Sequence, residues 1–262
     1  MLKKALLLMA ALIFPATSLA DEPLKVFIFA GQSNMVGRAA KVEELPEALQ
    51  APQKNWAFHG NQWVPLEPGK TQNPEIEGFG PEISFAAAMA EHLGEPIGII
   101  KYSRGGTNLH TQWNVEKQNQ PKSLYAALIH LVEKAKATKE IEIVGMTWMQ
   151  GEADSKTEAI AIAYGDHYRK LITQARKDFD NPAMPFIAGR VNPAKESVFT
   201  PEIVEITRKH QENPKLEHYD WVDCDDLPKI GDKVHYATTG LVTMGERMSE
   251  KIITLEQQNA PE

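Results

Sequence analysis

The chain has 262 residues, a formal net charge of −7 at pH 7 and 42% hydrophobic residues. That length suffices for one α/β domain with a full core, and no linker or internal repeat divides it. The acidic balance argues against nucleic acid, whose phosphates call for a basic face, and a single cysteine, Cys224, excludes an internal disulfide.

The N-terminus reads as a secretory signal peptide over residues 1–20, ahead of a single domain over 21–262. Lys3 and Lys4 precede an apolar run over 5–14, and Ser18-Leu19-Ala20 is a small-x-small cleavage site before Asp21. The run is too short to span a bilayer. No cysteine sits at the cleavage site, so a lipoprotein is not expected. The expected destination is the periplasm or the extracellular space, with no membrane anchor after cleavage.

Strand-like and helix-like segments then alternate. An apolar run over 24–30 stops at Gly31, and Ser33 follows two residues later. A helix is predicted over 81–93, where Ile83, Phe85, Ala86, Met89, Ala90 and Leu93 recur at helical spacing before Gly94. A strand over 97–102, a helix over 123–137, a strand over 141–149 and a long amphipathic helix over 157–179 follow. A short strand over 185–188, a helix over 201–212, a strand over 219–224 and a closing helix over 238–255 complete the chain. Cys224, at the end of the last strand, reads as a buried structural thiol.

This alternation predicts an α/β fold with a five-stranded parallel sheet and helices on both faces. Right-handed crossovers place the strand ends on one edge, where ligand sites gather. Residues 38–80 do not fit the alternation. They read as a long excursion beside that edge, carrying Trp56 and Trp63 as candidates to stack on a sugar ring or to pack in the core.

A serine on a tight turn after a strand becomes a nucleophile if a histidine takes its proton. Gly231-Asp232-Lys233-Val234-His235 supplies one, with an aspartate three residues before it to hold the ring. Ser33, Asp232 and His235 are the candidate triad. Attack on an ester carbonyl creates an oxyanion that needs preorganised donors. The backbone N–H of Ser33 is one candidate. Gly105-Gly106 offers a second, because neither residue carries a Cβ. Gln150 offers a side-chain amide. Gln32 and Asn34 flank the nucleophile and are candidates to brace its turn. Asp154 reads as a helix N-cap-type residue.

Four segments carry a family resemblance. Gly31-Gln32-Ser33-Asn34 resembles the first block of the SGNH hydrolases in its G-Q-S-N form, found in the sialate O-acetylesterase-like branch that includes carbohydrate esterase family six. Tyr102-Ser103-Arg104-Gly105-Gly106-Thr107-Asn108-Leu109, with Trp113 beyond, resembles the second block. Trp148-Met149-Gln150-Gly151-Glu152-Ala153-Asp154 resembles the W-x-Q-G-E-x-D third block, and Asp232 with His235 match the D-x-x-H fourth. The matches run from about residue 26 to about residue 247.

The resemblance implies a three-layer αβα sandwich with a flavodoxin-like sheet. It implies a secreted serine esterase that removes O-acetyl groups from carbohydrates, acetylxylan or sialate esters, through an acyl-enzyme. It assigns the second oxyanion donor to the Gly105-Gly106 pair, with Gly105 favoured. It puts Gln150 where most SGNH enzymes have asparagine. Arg104, Trp113 and Glu152 stand as substrate or supporting residues. No cofactor is expected, and the remaining histidines show no metal-ligand spacing. The partner expected is an acetylated carbohydrate. A non-catalytic carbohydrate-binding protein of the same fold is the alternative. An unrelated flavodoxin-like binding protein would need a phosphate-cradling glycine loop, and no G-x-G-x-x-G is present.

Overall fold

The structure, a computed structural model, describes residues 22–70, 78–196 and 198–259. The expected signal peptide lies outside the described residues. In chain order the elements are β1 (Leu24–Gly31), α1 (Ser33–Val36), α2 (Glu47–Gln50), β2 (Trp56–His59), β3 (Gln62–Pro65), α3 (Glu82–Leu93) and β4 (Gly98–Ser103). They continue with α4 (Leu124–Lys136), β5 (Ile141–Met149), α5 (Glu158–Asp178), β6 (Phe186–Gly189), α6 (Pro201–Glu212), β7 (Tyr219–Val222) and α7 (Thr238–Asn259).

β1 is the centre of the molecule. Its side chains alternate between the two faces of the sheet, and both faces are apolar. Phe27 and Phe29 pack against Ile83, Phe85 and Met89 of α3 and Met244, Met248 and Ile252 of α7. Val26, Ile28 and Ala30 face Leu128 and Val132 of α4 and Tyr164, Tyr168 and Leu171 of α5. Two cores, one on each side of the sheet, make the three-layer α/β sandwich.

The sheet has seven strands in the order β3-β2-β4-β1-β5-β6-β7, rather than the five expected. Every neighbouring pair is parallel except β2 with β3. The two extra strands come from the segment 38–80, which is more than an excursion. It folds a hairpin that extends the sheet beside β4. Each strand has only four residues, too few for a clear alternation. The turn does carry a signal: Gly60 and Asn61 both have positive φ, 58° and 63°. A two-residue Gly-Asn connection is the turn that matches strand twist.

From β1 the chain builds β2, β3 and β4 on one side of it, then crosses back to β5 on the other. That places the strand-order reversal at the carboxyl end of β1, where open α/β sheets form their ligand crevice. Ser33 lies two residues past that point.

The predicted helices hold to within a few residues. Ser123 caps α4 by accepting from the Ala126 N–H, and Gly94 ends α3 with φ of 70°. Cys224 is fully buried, and burial pushes its thiol up to about 12. Among the described residues no helix is long and apolar enough to cross a membrane.

Candidate active site

The chain leaves β1 through a turn that only glycine can start. Gly31 has φ of 151°, and a Cβ there would sit 2.1 Å from the carbonyl oxygen of Met149 in β5. This close approach lets Gln32 N–H donate to that same carbonyl at 2.9 Å. Ser33 then opens the one-turn helix α1, nearly buried at 5% exposed. Its N–H heads the helix and has no acceptor among the described residues.

Asp232 and His235 sit in the loop between β7 and α7. Asp232 Oδ1 accepts from the backbone N–H groups of Val234 and His235, both at 2.9 Å. Its Oδ2 lies 2.6 Å from His235 Nδ1, and His235 Nε2 lies 3.0 Å from Ser33 Oγ. A carboxylate on Nδ1 favours the tautomer with the proton there, leaving the Nε2 lone pair toward the serine. Partial burial by itself would raise the Asp232 carboxyl. The His235 N–H and ring together with the Val234 N–H outweigh it and hold the group down at about 2. Lys233, with φ of 59°, makes the turn that allows this. Ile230 N–H donates to the His235 carbonyl at 2.9 Å and Ala194 N–H to the Lys233 carbonyl at 3.0 Å, so both flanks of the loop are tied.

Asn34 joins the two halves of the site. Its Nδ2 donates to Glu152 Oε1 at 2.6 Å and to the Val234 carbonyl at 3.1 Å, and its Oδ1 accepts from Tyr236 N–H at 3.1 Å. Glu152 is buried beneath it, with Oε2 unpartnered. Burial pushes its carboxyl above the usual range, against the opposing pull of Asn34.

Gly105 is the glycine next to the nucleophile. A Cβ on it would come within 3.7 Å of the Ser33 Cβ, whereas one on Gly106 would meet nothing within 4 Å. Gly105 N–H, like Ser33 N–H, has no acceptor among the described residues. Arg104 donates its N–H to the Gly31 carbonyl at 3.1 Å, which locks this loop to the nucleophile turn. Its side chain is exposed.

Two sequence expectations change here. Gln150 does not present a free amide. Its Nε2 is surrounded by Gln32 Oε1 at 3.2 Å, the Thr107 carbonyl at 3.1 Å and Asp154 Oδ2 at 2.5 Å, and the side chain is fully buried. Two hydrogens facing three acceptors leave nothing for a substrate. Asp154 is not a helix cap. Thr157 precedes α5, while Asp154 accepts from Leu109 N–H at 2.8 Å and His110 N–H at 3.0 Å. Burial raises its carboxyl. Trp113, expected as a substrate or supporting residue, is fully buried: its Nε1 donates to Thr107 Oγ1 at 3.0 Å and its ring packs edge-on against Trp148.

Of the other tryptophans, Trp63 packs beside Phe58 and Trp56 is 37% exposed.

One supporting pair had no motif to mark it. Lys101 of β4 and Glu82 of α3 form a buried ion pair at 2.8 Å under α1. Lys101 Nζ also donates to the Val36 carbonyl at 3.2 Å, and Glu82 accepts from Gly80 N–H. A lysine within the apolar run of β4 was the available signal. Among the described residues no group of three or more His, Cys, Asp or Glu side chains is placed to hold a metal ion.

Residues 23–254 match the model of the carbohydrate esterase, sialic acid-specific acetylesterase family. The chain belongs to that family. A probable carbohydrate esterase of Arabidopsis thaliana is 26% identical over 255 residues, spanning 88% of this chain and 91% of the plant protein. The crystal structure of an Arabidopsis thaliana protein superposes with a TM-score of 0.75 at 23% identity, covering 88% of this chain and 98% of that one. A carbohydrate acetylesterase from Xanthomonas citri gives 0.70 at 20% identity, with 90% of this chain and 57% of that one covered. The structure of NanS gives 0.69 at 16% identity, covering 90% and 98%. At such identities the solved structures establish the shared fold. Membership of the sialic acid-specific acetylesterase family makes this chain a carboxylic ester hydrolase acting on carbohydrate esters.

Proposed function

We propose that the protein is an exported serine esterase that removes acetyl groups from carbohydrate hydroxyls, with O-acetylated sialic acid as the first substrate class to test and acetylxylan as the second. The observation that carries this reading is the hydrogen-bonded chain from Asp232 through His235 to Ser33, at 2.6 Å and 3.0 Å. That chain ends beside two backbone N–H groups without acceptors, those of Ser33 and Gly105.

The chemistry follows from these positions. Ser33 Oγ bonds to the acetyl carbonyl carbon, and its proton passes to His235 Nε2. The carbonyl π pair moves onto oxygen, where the N–H groups of Ser33 and Gly105 stabilise it. Collapse of the tetrahedral species breaks the bond to the sugar oxygen, which takes the proton from His235. Water then attacks the acetyl-serine by the same route, giving acetate and free Ser33. Asp232, ionised down to about pH 2, stabilises the imidazolium in each half.

The test is acetate release from a panel of acetylated glycans by wild type and Ser33→Ala. Wild type is expected to release acetate. Ser33→Ala is expected to lose about 10³-fold or more in kcat with an unchanged melting temperature. Retention of a tenth of wild-type turnover would remove Ser33 as the nucleophile. Glycan binding without turnover by wild type would favour the non-catalytic alternative.

A further inference from the structure

We propose that the side-chain amide of Gln32, the residue before the nucleophile, is the third donor to the oxyanion, in the place the sequence pattern suggests for Gln150. The proposal rests on the serine esterase reading above.

The orientations of the two amides are dictated by their neighbours. Around Gln150 Nε2 stand three acceptors, as described. Turning that amide over would put Oε1 against three oxygens, so the nitrogen is held inward. Around Gln32 Oε1 stand three donors: Gln150 Nε2 at 3.2 Å, Ala153 N–H at 3.3 Å and Gly151 N–H at 3.5 Å. The Gln32 oxygen is therefore held toward the start of the segment after β5, and its nitrogen faces away from that cluster. Gln32 Nε2 has no acceptor among the described residues, yet it is not one of the buried orphaned polar atoms. Gln32 is only 3% exposed, and it precedes Ser33, itself 5% exposed. A nearly buried residue beside the nucleophile thus keeps one accessible, unpaired N–H₂ group.

An amide in this state suits an oxyanion hole. It is neutral, its plane is clamped through the oxygen, and it needs little rearrangement when charge develops. As Ser33 Oγ bonds to the carbonyl carbon and the π pair moves to oxygen, Gln32 Nε2 donates to that oxygen beside the N–H groups of Ser33 and Gly105. Gln150 and Asp154 then act behind it. Asp154 holds the Gln150 nitrogen, and Gln150 helps hold the Gln32 oxygen.

The variant that separates donor from brace is Gln32→Glu. Its carboxylate still accepts from Gln150, Gly151 and Ala153, but it carries no proton for the oxyanion and repels it. Hydrolysis of p-nitrophenyl acetate by wild type, Ser33→Ala, Gln32→Glu and Gln32→Ala is measured from about pH 6 to about pH 9, with melting temperatures on the same preparations. Gln32→Glu is expected to keep its melting temperature and lose kcat by roughly 10²–10³ with little change in KM. Gln32→Ala is expected to lose kcat to a similar extent, and it stands in if Gln32→Glu does not fold. A folded Gln32→Glu within threefold of wild-type kcat at every pH would overturn the proposal, as would a fully active Gln32→Ala. Equal rates for wild type and Ser33→Ala would instead overturn the serine esterase reading.

Discussion

Asn34 Nδ2 donates to Glu152 Oε1 at 2.6 Å, in the buried space behind the nucleophile. The same nitrogen reaches the Val234 carbonyl. The residue after Ser33 therefore carries the loop that positions His235, and a carboxyl from the segment after β5 holds that residue in turn. Asn34→Ala should leave Glu152 and Tyr236 N–H short of partners, costing about 1–3 kcal/mol for the buried groups. It should also lower kcat more than it changes KM. Urea midpoints and steady-state kinetics on one preparation check this, and an unchanged kcat would limit Asn34 to stability.

Glu152 gives a second readout through pH. Burial raises its carboxyl in the folded state, so the fold holds a proton that the unfolded chain has released. Stability from this group is present at acid pH and declines as pH rises from the ordinary carboxylate range through the raised value. Glu152→Gln carries no such proton. Its stability relative to wild type should grow as pH rises from the ordinary carboxylate range toward neutrality. A difference that is flat across that range would show that Glu152 ionises normally in the fold.

Asp232 has the opposite sign. Its carboxyl is held at about 2, so its contribution is present above the unfolded carboxylate range and lost as pH falls toward 2. Asp232→Asn should fold, because an amide oxygen still accepts from Val234 and His235 N–H. It favours the wrong imidazole tautomer, with the proton on Nε2, and should lower kcat on the order of 10³–10⁴. A loss below tenfold would mean that the backbone alone orients His235.

Lys101 and Glu82 form a buried ion pair beneath α1. Burial lowers the Lys101 ammonium while Glu82 opposes that shift. Removing one partner strands the other, so Lys101→Met should cost about 3–5 kcal/mol. Adding Glu82→Gln should recover much of that loss, since the amide oxygen still accepts from Gly80 N–H. Thermal melts of the two single variants and the double variant form the cycle. Additive losses would mean that the pair does not act as a unit.

Gln150 shows where sequence and structure part. Its place in the third block suggests a donor to substrate, but tertiary contacts occupy both amide hydrogens. Gln150→Leu should therefore lose melting temperature together with turnover, because Asp154 and Gln32 each lose a partner. A drop in kcat at wild-type melting temperature would return Gln150 to the oxyanion.

The sequence by itself determined the elements with strong periodicity and the four blocks. β1, β5, α3 to α7 and the order of Ser33, Asp232 and His235 were all legible there. Apolar period and turn chemistry are local properties of the chain. The β2–β3 hairpin escaped because four-residue strands carry too little alternation. Only its Gly60-Asn61 turn spoke for it. What the tertiary structure decided were the partners of polar groups. Whether Gln150 or Gln32 keeps a free amide depends on which carbonyls and N–H groups of β5, the Thr107 loop and Asp154 surround each. Those groups lie up to 121 positions apart in the chain. The same holds for Lys101 of β4 and Glu82 of α3, whose pairing no motif marks. A hydrogen bond satisfies one residue at the expense of another, and only packing the sheet against its helices and loops settles the allocation.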